Sequence, residues 1–219
     1  LGGEQQAYPL PDGSPGAPWF PAVEGLLRKA VRYRVPTLAV CLGAQLLATA
    51  HAGLVERSHS HDTAGLGLHP GSGSQRPVMR DNRLARNSIG LIFCGGVKYG
   101  LAEGNTLDDN TRHGISIGHR DTDNLVVKNT VRRSGQVGVL FRPERGKAFA
   151  PHRNYFRENR VEDSGADEGI AVDVQGEIES VTIASNQLVE TRGPAKRTGI
   201  RLGAKTRDIR LVENRIEGF

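Results

Sequence analysis

The sequence predicts a mainly β fold: a solenoid of about six coils over residues 65–219, preceded by an α/β fragment. Three observations predict it. A glycine opens a short apolar alternation six times, at Gly65-Leu66-Gly67-Leu68, Gly90-Leu91-Ile92-Phe93, Gly114-Ile115-Ser116-Ile117, Gly138-Val139-Leu140-Phe141, Gly169-Ile170-Ala171-Val172 and Gly199-Ile200-Arg201-Leu202, with spacings of 25, 24, 24, 31 and 30 residues. An asparagine keeps step 15 to 21 residues after each glycine: Asn82, Asn105, Asn129, Asn159, Asn186 and Asn214. Short strand-like runs flank each asparagine. Self-similarity at such a period marks a repeat architecture.

Each unit reads as three short strands. The strand after the glycine alternates with period two, so Ile115 and Ile117 point inward and Ser116 outward. A second strand precedes the asparagine, as in Asn124-Leu125-Val126-Val127, Ser180-Val181-Thr182-Ile183 and Asp208-Ile209-Arg210-Leu211. A third follows it, as in Asn129-Thr130-Val131 and Asn214-Arg215-Ile216. Three strands and three turns make one coil of a right-handed parallel β-helix. Coils stack ~4.8 Å apart, so six make a rod roughly 30 Å long. Stacked asparagine amides both donate and accept, each bond contributing roughly 1 kcal/mol net. The glycines suit tight corners with positive φ. The modest apolar content, 37% with 5% aromatics, suits a narrow bore lined by aliphatic side chains.

Residues 1–58 lie outside the repeat. A Pro/Gly-rich stretch runs through Pro18. A helix is expected from about Pro21 to Arg34, with Val23, Leu26, Leu27, Ala30 and Val31 on one stripe suited to covering the first coil near Leu66 and Leu68. Thr37–Val40 reads as a buried strand, and Cys41 opens a turn into a second helix. A helix N-terminus lowers the pKa of such a thiol. Residues 59–64 form a polar junction, whose His59 and His61 read as solvated side chains and not as metal ligands.

The net charge of +5, from 29 basic and 24 acidic residues, favours an anionic partner only mildly. No basic run is interleaved with aromatics, which argues against nucleic acid. Two distant cysteines, Cys41 and Cys94, make neither a disulfide framework nor a zinc site. No stretch approaches a membrane span. No signal peptide is visible, and the chain starts at Leu1. The expected location is extracellular or periplasmic if a signal peptide precedes the segment, and cytoplasmic otherwise. The sequence leaves the oligomeric state open.

On its in-phase glycines and asparagines, the segment 65–219 resembles the right-handed parallel β-helix superfamily that includes pectate lyases and many glycan-acting enzymes. The resemblance implies polysaccharide or another glycan as partner, held along an outer strand face. A second resemblance lies in Pro36–Ala48, with Gly2-Gly3 before it and Gly53-Leu54-Val55-Glu56-Arg57 after it. This pattern is similar to class I glutamine amidotransferases. It implies Cys41 as nucleophile, with backbone near Gly3 and Leu42 as the oxyanion site. Ala39 stands where that family has glycine, and no His-x-Glu pair occurs anywhere. The expectation there is an inactive relic.

Counting from each glycine marker, the outward positions on the first strand are Gly67, Ile92, Ser116, Leu140, Ala171 and Arg201. Two residues on come His69, Cys94, Gly118, Arg142, Asp173 and Gly203. This count puts Arg142 and Asp173 in adjacent coils. Arg142 would neutralise an acidic sugar, and Asp173 or His119 would serve as base or acid. The insertion Arg142–Arg153 follows this strand, and long loops on rigid scaffolds often carry function. Arg120, Glu144, His152, Arg153 and Arg201 are the expected substrate contacts. Asp121 and Asp123 are candidate Ca2+ ligands; no other cofactor is expected. The functional expectation is polysaccharide binding or cleavage of lyase or glycosidase type, against a non-catalytic structural or surface-binding solenoid.

Overall fold

The computed structural model describes residues 18, 20–33, 53–166, 168–193 and 196–219. Within residues 20–33 a helix, α1, spans Phe20–Arg32. It buries Leu27 and exposes Leu26, so only part of the expected stripe is covered. The proposed strand at 37–40 and Cys41 lie outside the described residues. No described helix is long and apolar enough to cross a membrane.

Three parallel sheets wind around one core. Sheet A stacks Leu54–Glu56, Val78–Arg80, Leu101–Glu103, Leu125–Val127, Tyr155–Arg157, Thr182–Ala184 and Arg210–Val212. Sheet B stacks His59–His61, Arg83–Ala85, Thr106–Asp108, Thr130–Arg132, Arg160–Glu162, Gln187–Val189 and Arg215–Glu217. Sheet C stacks Leu66–Leu68, Ile89–Phe93, His113–Ile117, Val137–Phe141, Ile170–Val174 and Thr198–Leu202. The solenoid therefore has about seven turns. It begins a coil's worth of strands before residue 65, because Leu54–Glu56 and His59–His61 pair in register with Val78–Arg80 and Arg83–Ala85.

The middle residue of every strand in sheets A and B points inward. Met79, Ala102, Val126, Phe156 and Ile183 form one buried column, and Leu84, Leu107, Val131, Val161 and Leu188 another. Sheet C contributes Leu91, Phe93, Ile115, Ile117, Val139, Phe141, Val172 and Val174. Leu211 and Ile216 continue the inward columns yet are half-exposed, since their coil has a described neighbour on one side only.

The asparagine column is a continuous buried ladder. The main-chain N–H and the side-chain Nδ2 of Asn82 both donate to Asn105 Oδ1, at 3.0 and 2.9 Å. Asn105, Asn129, Asn159 and Asn186 repeat the pattern toward Asn214. Two shorter ladders hold the other corners. Thr63, Asn87 and Asn110 link coils between sheets B and C. Gly100, Asn124 and Asn154 do so between C and A.

The glycines play a different part from the one expected. Register places Gly67, Gly90, Gly114, Gly138, Ala171 and Gly199 in one column. None of them has positive φ. They are small because the bore is full beside them: a Cβ on Gly114 would lie 2.3 Å from Val131 Cγ1, and one on Gly138 2.5 Å from Val161 Cγ1. The left-handed corner positions belong instead to residues such as Asp81, Lys128, Glu158 and Glu213, each preceding a ladder asparagine.

Candidate functional site

The outer face of sheet C has a register that differs from the glycine count. Gly65 and Gly169 lie two residues ahead of the true column, which runs through Gly67 and Ala171. Asp173 therefore sits level with Leu140 and Arg201, not with Arg142. A slip of two residues keeps every side chain on its face, so alternation alone does not reveal it.

Asp173 is 2% exposed, and both of its carboxylate oxygens accept hydrogen bonds. Arg201 grips it with Nε to Oδ1 at 3.0 Å and Nη2 to Oδ2 at 2.6 Å, and Gln175 Nε2 donates to Oδ1. Arg142 lies back across two lower coils. Its Nη1 donates to Ser116 Oγ at 2.7 Å, its Nη2 to Phe93 O at 2.9 Å and its Nε to Glu144 Oε1 at 3.2 Å. Gly118 leaves room for this strap, since a Cβ there would meet Glu144 and the Arg142 guanidinium within 2.6 Å. The predicted Arg142–Asp173 pair thus resolves into two separate cross-coil links.

Beneath the strap lies Asp121, fully buried. Its Oδ1 accepts from the N–H groups of Gly96 and Val97, and its Oδ2 from Gly118. Burial pushes its pKa up to about 7 against these donors. Asp123 is clamped by Arg153 at 2.7 and 2.8 Å, which holds its carboxyl below the usual range. A calcium ion would have to displace donors from both. Among the described residues no group of three His, Cys, Asp or Glu is placed to hold a metal ion.

The insertion gathers several of the expected residues around Phe149, at the end of a short 3-10 turn, Lys147–Phe149. The His119 ring packs on Phe149 at 5.5 Å between centroids, and the Arg120 guanidinium sits 5.5 Å above the same ring. Glu144 accepts the His119 main-chain N–H at 2.8 Å. His152 accepts the Glu179 N–H on Nδ1, so Nε2 carries the proton and donates to Lys147 O at 2.7 Å. The structure thus brings His119, Arg120, Arg142, Glu144 and His152 to one side. Arg153 stands around the corner on sheet A, and Asp173 with Arg201 forms a pair of its own.

Two features escaped the sequence reading. His113 stands in an outward column whose other members are Leu66, Ile89, Val137, Ile170 and Thr198. It is 6% exposed, and its Nδ1 is buried without a hydrogen-bond partner. Burial first, then Arg112 and Arg142, lowers its pKa to about 4. A histidine among aliphatics is a visible signal, but only once the register is right. The second is a groove of about 570 Å³ at the corner from sheet C to sheet A, lined by Lys147, Glu177, Glu179, Ala204, Lys205 and Arg207. Lys147 meets Glu179 at 2.7 Å, and Lys205 stands 3.9 Å from Glu177. Three cations against two carboxylates leave the groove locally positive.

On the sheet C face, burial also raises the Cys94 thiol pKa, so it is no ready thiolate. Burial lowers the pKa of His69, whose Nε2 donates to Cys94 O at 3.3 Å.

Comparison with known proteins bears on the fold. A family model described as the right handed beta helix region matches residues 43–216. No curated protein and no solved structure shows a significant match. Nothing in these comparisons supports the amidotransferase resemblance. Its downstream part, around Leu54–Glu56, is a strand of the solenoid. With three parallel sheets in register and a match over most of its length, the chain belongs to the right-handed β-helix family.

Proposed function

We propose that the protein binds an acidic polysaccharide at the corner between sheets C and A, beside the 142–153 insertion, without cleaving it. The observation that carries this reading is the locally positive groove lined by Lys147, Lys205 and Arg207. A chain of uronate or sulfated sugars offers carboxylate or sulfate to these cations and hydroxyls to Glu177 and Glu179. Binding without turnover is favoured because the acid and base candidates are engaged internally. Asp173 is gripped by Arg201, the His119 ring lies on Phe149 with Nδ1 3.6 Å from Glu144 Oε2, His152 is bonded on both nitrogens, and the Arg142 donors serve Ser116, Phe93 and Glu144. A base already committed to two hydrogen bonds is poorly placed to take a ring proton.

The test is retention on immobilised polygalacturonate and on a neutral glucan, with ultraviolet absorbance followed for new double bonds. The expected result is salt-sensitive retention on the acidic resin, weakened about tenfold or more by Lys205→Glu with Arg207→Glu, and flat absorbance. Unchanged retention in the double variant would remove the groove from the reading. One observation favours a catalytic reading: His113 is neutral at pH 7 and its Nδ1 has no partner, although that atom is buried and a substrate would have to uncover it. Rising absorbance that disappears in His113→Gln would support that second reading.

A further inference from the structure

The charged groove does not stop at the corner. Glu179 and Arg207 line it, and the next residues, Ser180 and Asp208, line a second groove of about 320 Å³ on the outer face of sheet A. Tyr155 opens the strand there and lies between Leu125 and Thr182 in register. It is 52% exposed, in a chain with few aromatics. Around it the charges are paired. Asp123 and Arg153 form a two-bond clamp, and Arg210 Nε stands 3.5 Å from Asp208 Oδ1. Two carboxylates against two guanidiniums leave no net local charge.

That combination selects a ligand chemistry. An exposed phenol ring presents a flat apolar plate with a wet edge, which matches the C–H face of a pyranose. Paired charges around the plate attract no ion, but they fix donors and acceptors in place. Asp123 and Asp208 have lone pairs left over, Arg153 and Arg210 have N–H groups left over, and Ser180 and Thr182 add hydroxyls. Vicinal hydroxyls on a neutral sugar use both kinds.

We propose that the sheet A groove at Tyr155 is a separate subsite for a neutral pyranose, whose ring stacks on Tyr155 while its hydroxyls bond to the Asp123–Arg153 and Asp208–Arg210 pairs. As the continuation of the corner groove, it extends the polysaccharide-binding reading above; the stacking itself does not depend on that reading. A chain crossing both grooves would carry an acidic unit at Lys205 and Arg207 and a neutral unit at Tyr155.

The experiment follows the Tyr155 ring directly. The full chain, labelled on its four tyrosines, is titrated with neutral glucose-, mannose- and galactose-based hexasaccharides while ring resonances are recorded. Tyr155→Phe identifies the signal and keeps the plate; Tyr155→Ala removes it. The expected result is a saturable shift of the Tyr155 signal with at least one sugar, retained binding in Tyr155→Phe, and roughly five- to tenfold weaker binding in Tyr155→Ala with an unchanged melting temperature. No shift with any of the three, or full binding by Tyr155→Ala, overturns the subsite. The same titration on Lys205→Glu with Arg207→Glu separates the two ideas. A Tyr155 shift that survives there, in a protein that never bound polygalacturonate, sustains the subsite while the corner groove fails.

Discussion

Asn129→Ala tests the physical basis of the fold. Asn129 is buried mid-ladder. Its Oδ1 accepts from Asn105 N–H at 2.9 Å and from Asn105 Nδ2 at 2.8 Å, and its Nδ2 donates to Ala102 O, Val127 O and Asn159 Oδ1. Several of these partners have a substitute. Asn105 Nδ2 keeps Met79 O, Val127 O keeps the Gly104 N–H, and Asn159 Oδ1 keeps the Asn129 N–H. The Asn105 N–H does not, and an unsatisfied buried donor costs about 1–3 kcal/mol. Losing the Ala102 bond adds about 1 kcal/mol. The expected loss is therefore about 3 kcal/mol, a fall of roughly 1 M in urea midpoint if m lies near 3 kcal/mol/M. Asn214→Ala removes the same chemistry at the half-exposed end, where water replaces the partners, and should cost about 1 kcal/mol. Asn129→Asp keeps the acceptor but turns a charge toward the carbonyls of Ala102 and Val127, so it should be no better than alanine. Urea unfolding followed by circular dichroism reads all three. Equal losses for Asn129→Ala and Asn214→Ala would refute the claim that burial of the ladder, and not the bond itself, carries the energy.

Gly114→Val drives a side chain against Val131 and should cost at least about 1–3 kcal/mol in thermal melts, whereas Ala171, in the same column, should tolerate glycine better. His113 titrates at about 4 in the fold against 6.5 when free, so between those values the unfolded chain binds a proton that the fold excludes. His113 by itself therefore lowers stability as pH drops from 6.5 toward 4, by up to about 3 kcal/mol, while Asp121, raised to about 7, contributes with the opposite sign; His113→Val should remove the first contribution and leave stability rising more steeply as pH falls, read in urea titrations across the range. Arg142→Lys cannot reach Ser116, Phe93 and Glu144 together and should destabilise by about 2–4 kcal/mol; a melt matching the parent would show the strap to be idle.

The repeat was legible because its markers answer to hard constraints. A buried amide column tolerates little else, so Asn82 to Asn214 stands out in the sequence, and alternation sorted Ile115 and Ile117 from Ser116. The coil boundaries were less legible. Gly65 and Gly169 occur within two residues of the true column, and the interior accepts Ala171 where glycine was counted on. The other two ladders hid because they are short: Ser134 follows Asn110 at the B–C corner, and Gly100 precedes Asn124 at the C–A corner. The first strands hid because Leu54–Glu56 continued a motif that resembled something else.

The site was misread for a related reason, and the reason is general to stacked coils. Neighbouring strands lie ~4.8 Å apart, so a long charged side chain on the surface meets whatever occupies its column one coil away. Arg80 finds Glu103, Arg86 finds Asp62, Arg133 finds Asp109, Arg153 finds Asp123 and Arg201 finds Asp173, at separations of 23, 24, 24, 30 and 28 residues. On such a surface a carboxylate beside an arginine is the ordinary state, and it says little about catalysis. What departs from the ordinary is a group whose column supplies no mate. His113 among aliphatics, Tyr155 between Leu125 and Thr182, and a corner with three cations to two carboxylates meet that description. Asp173, with both carboxylate oxygens bonded to neighbours, does not. Register must therefore be fixed before charge is read, because only register says which charges are already answered.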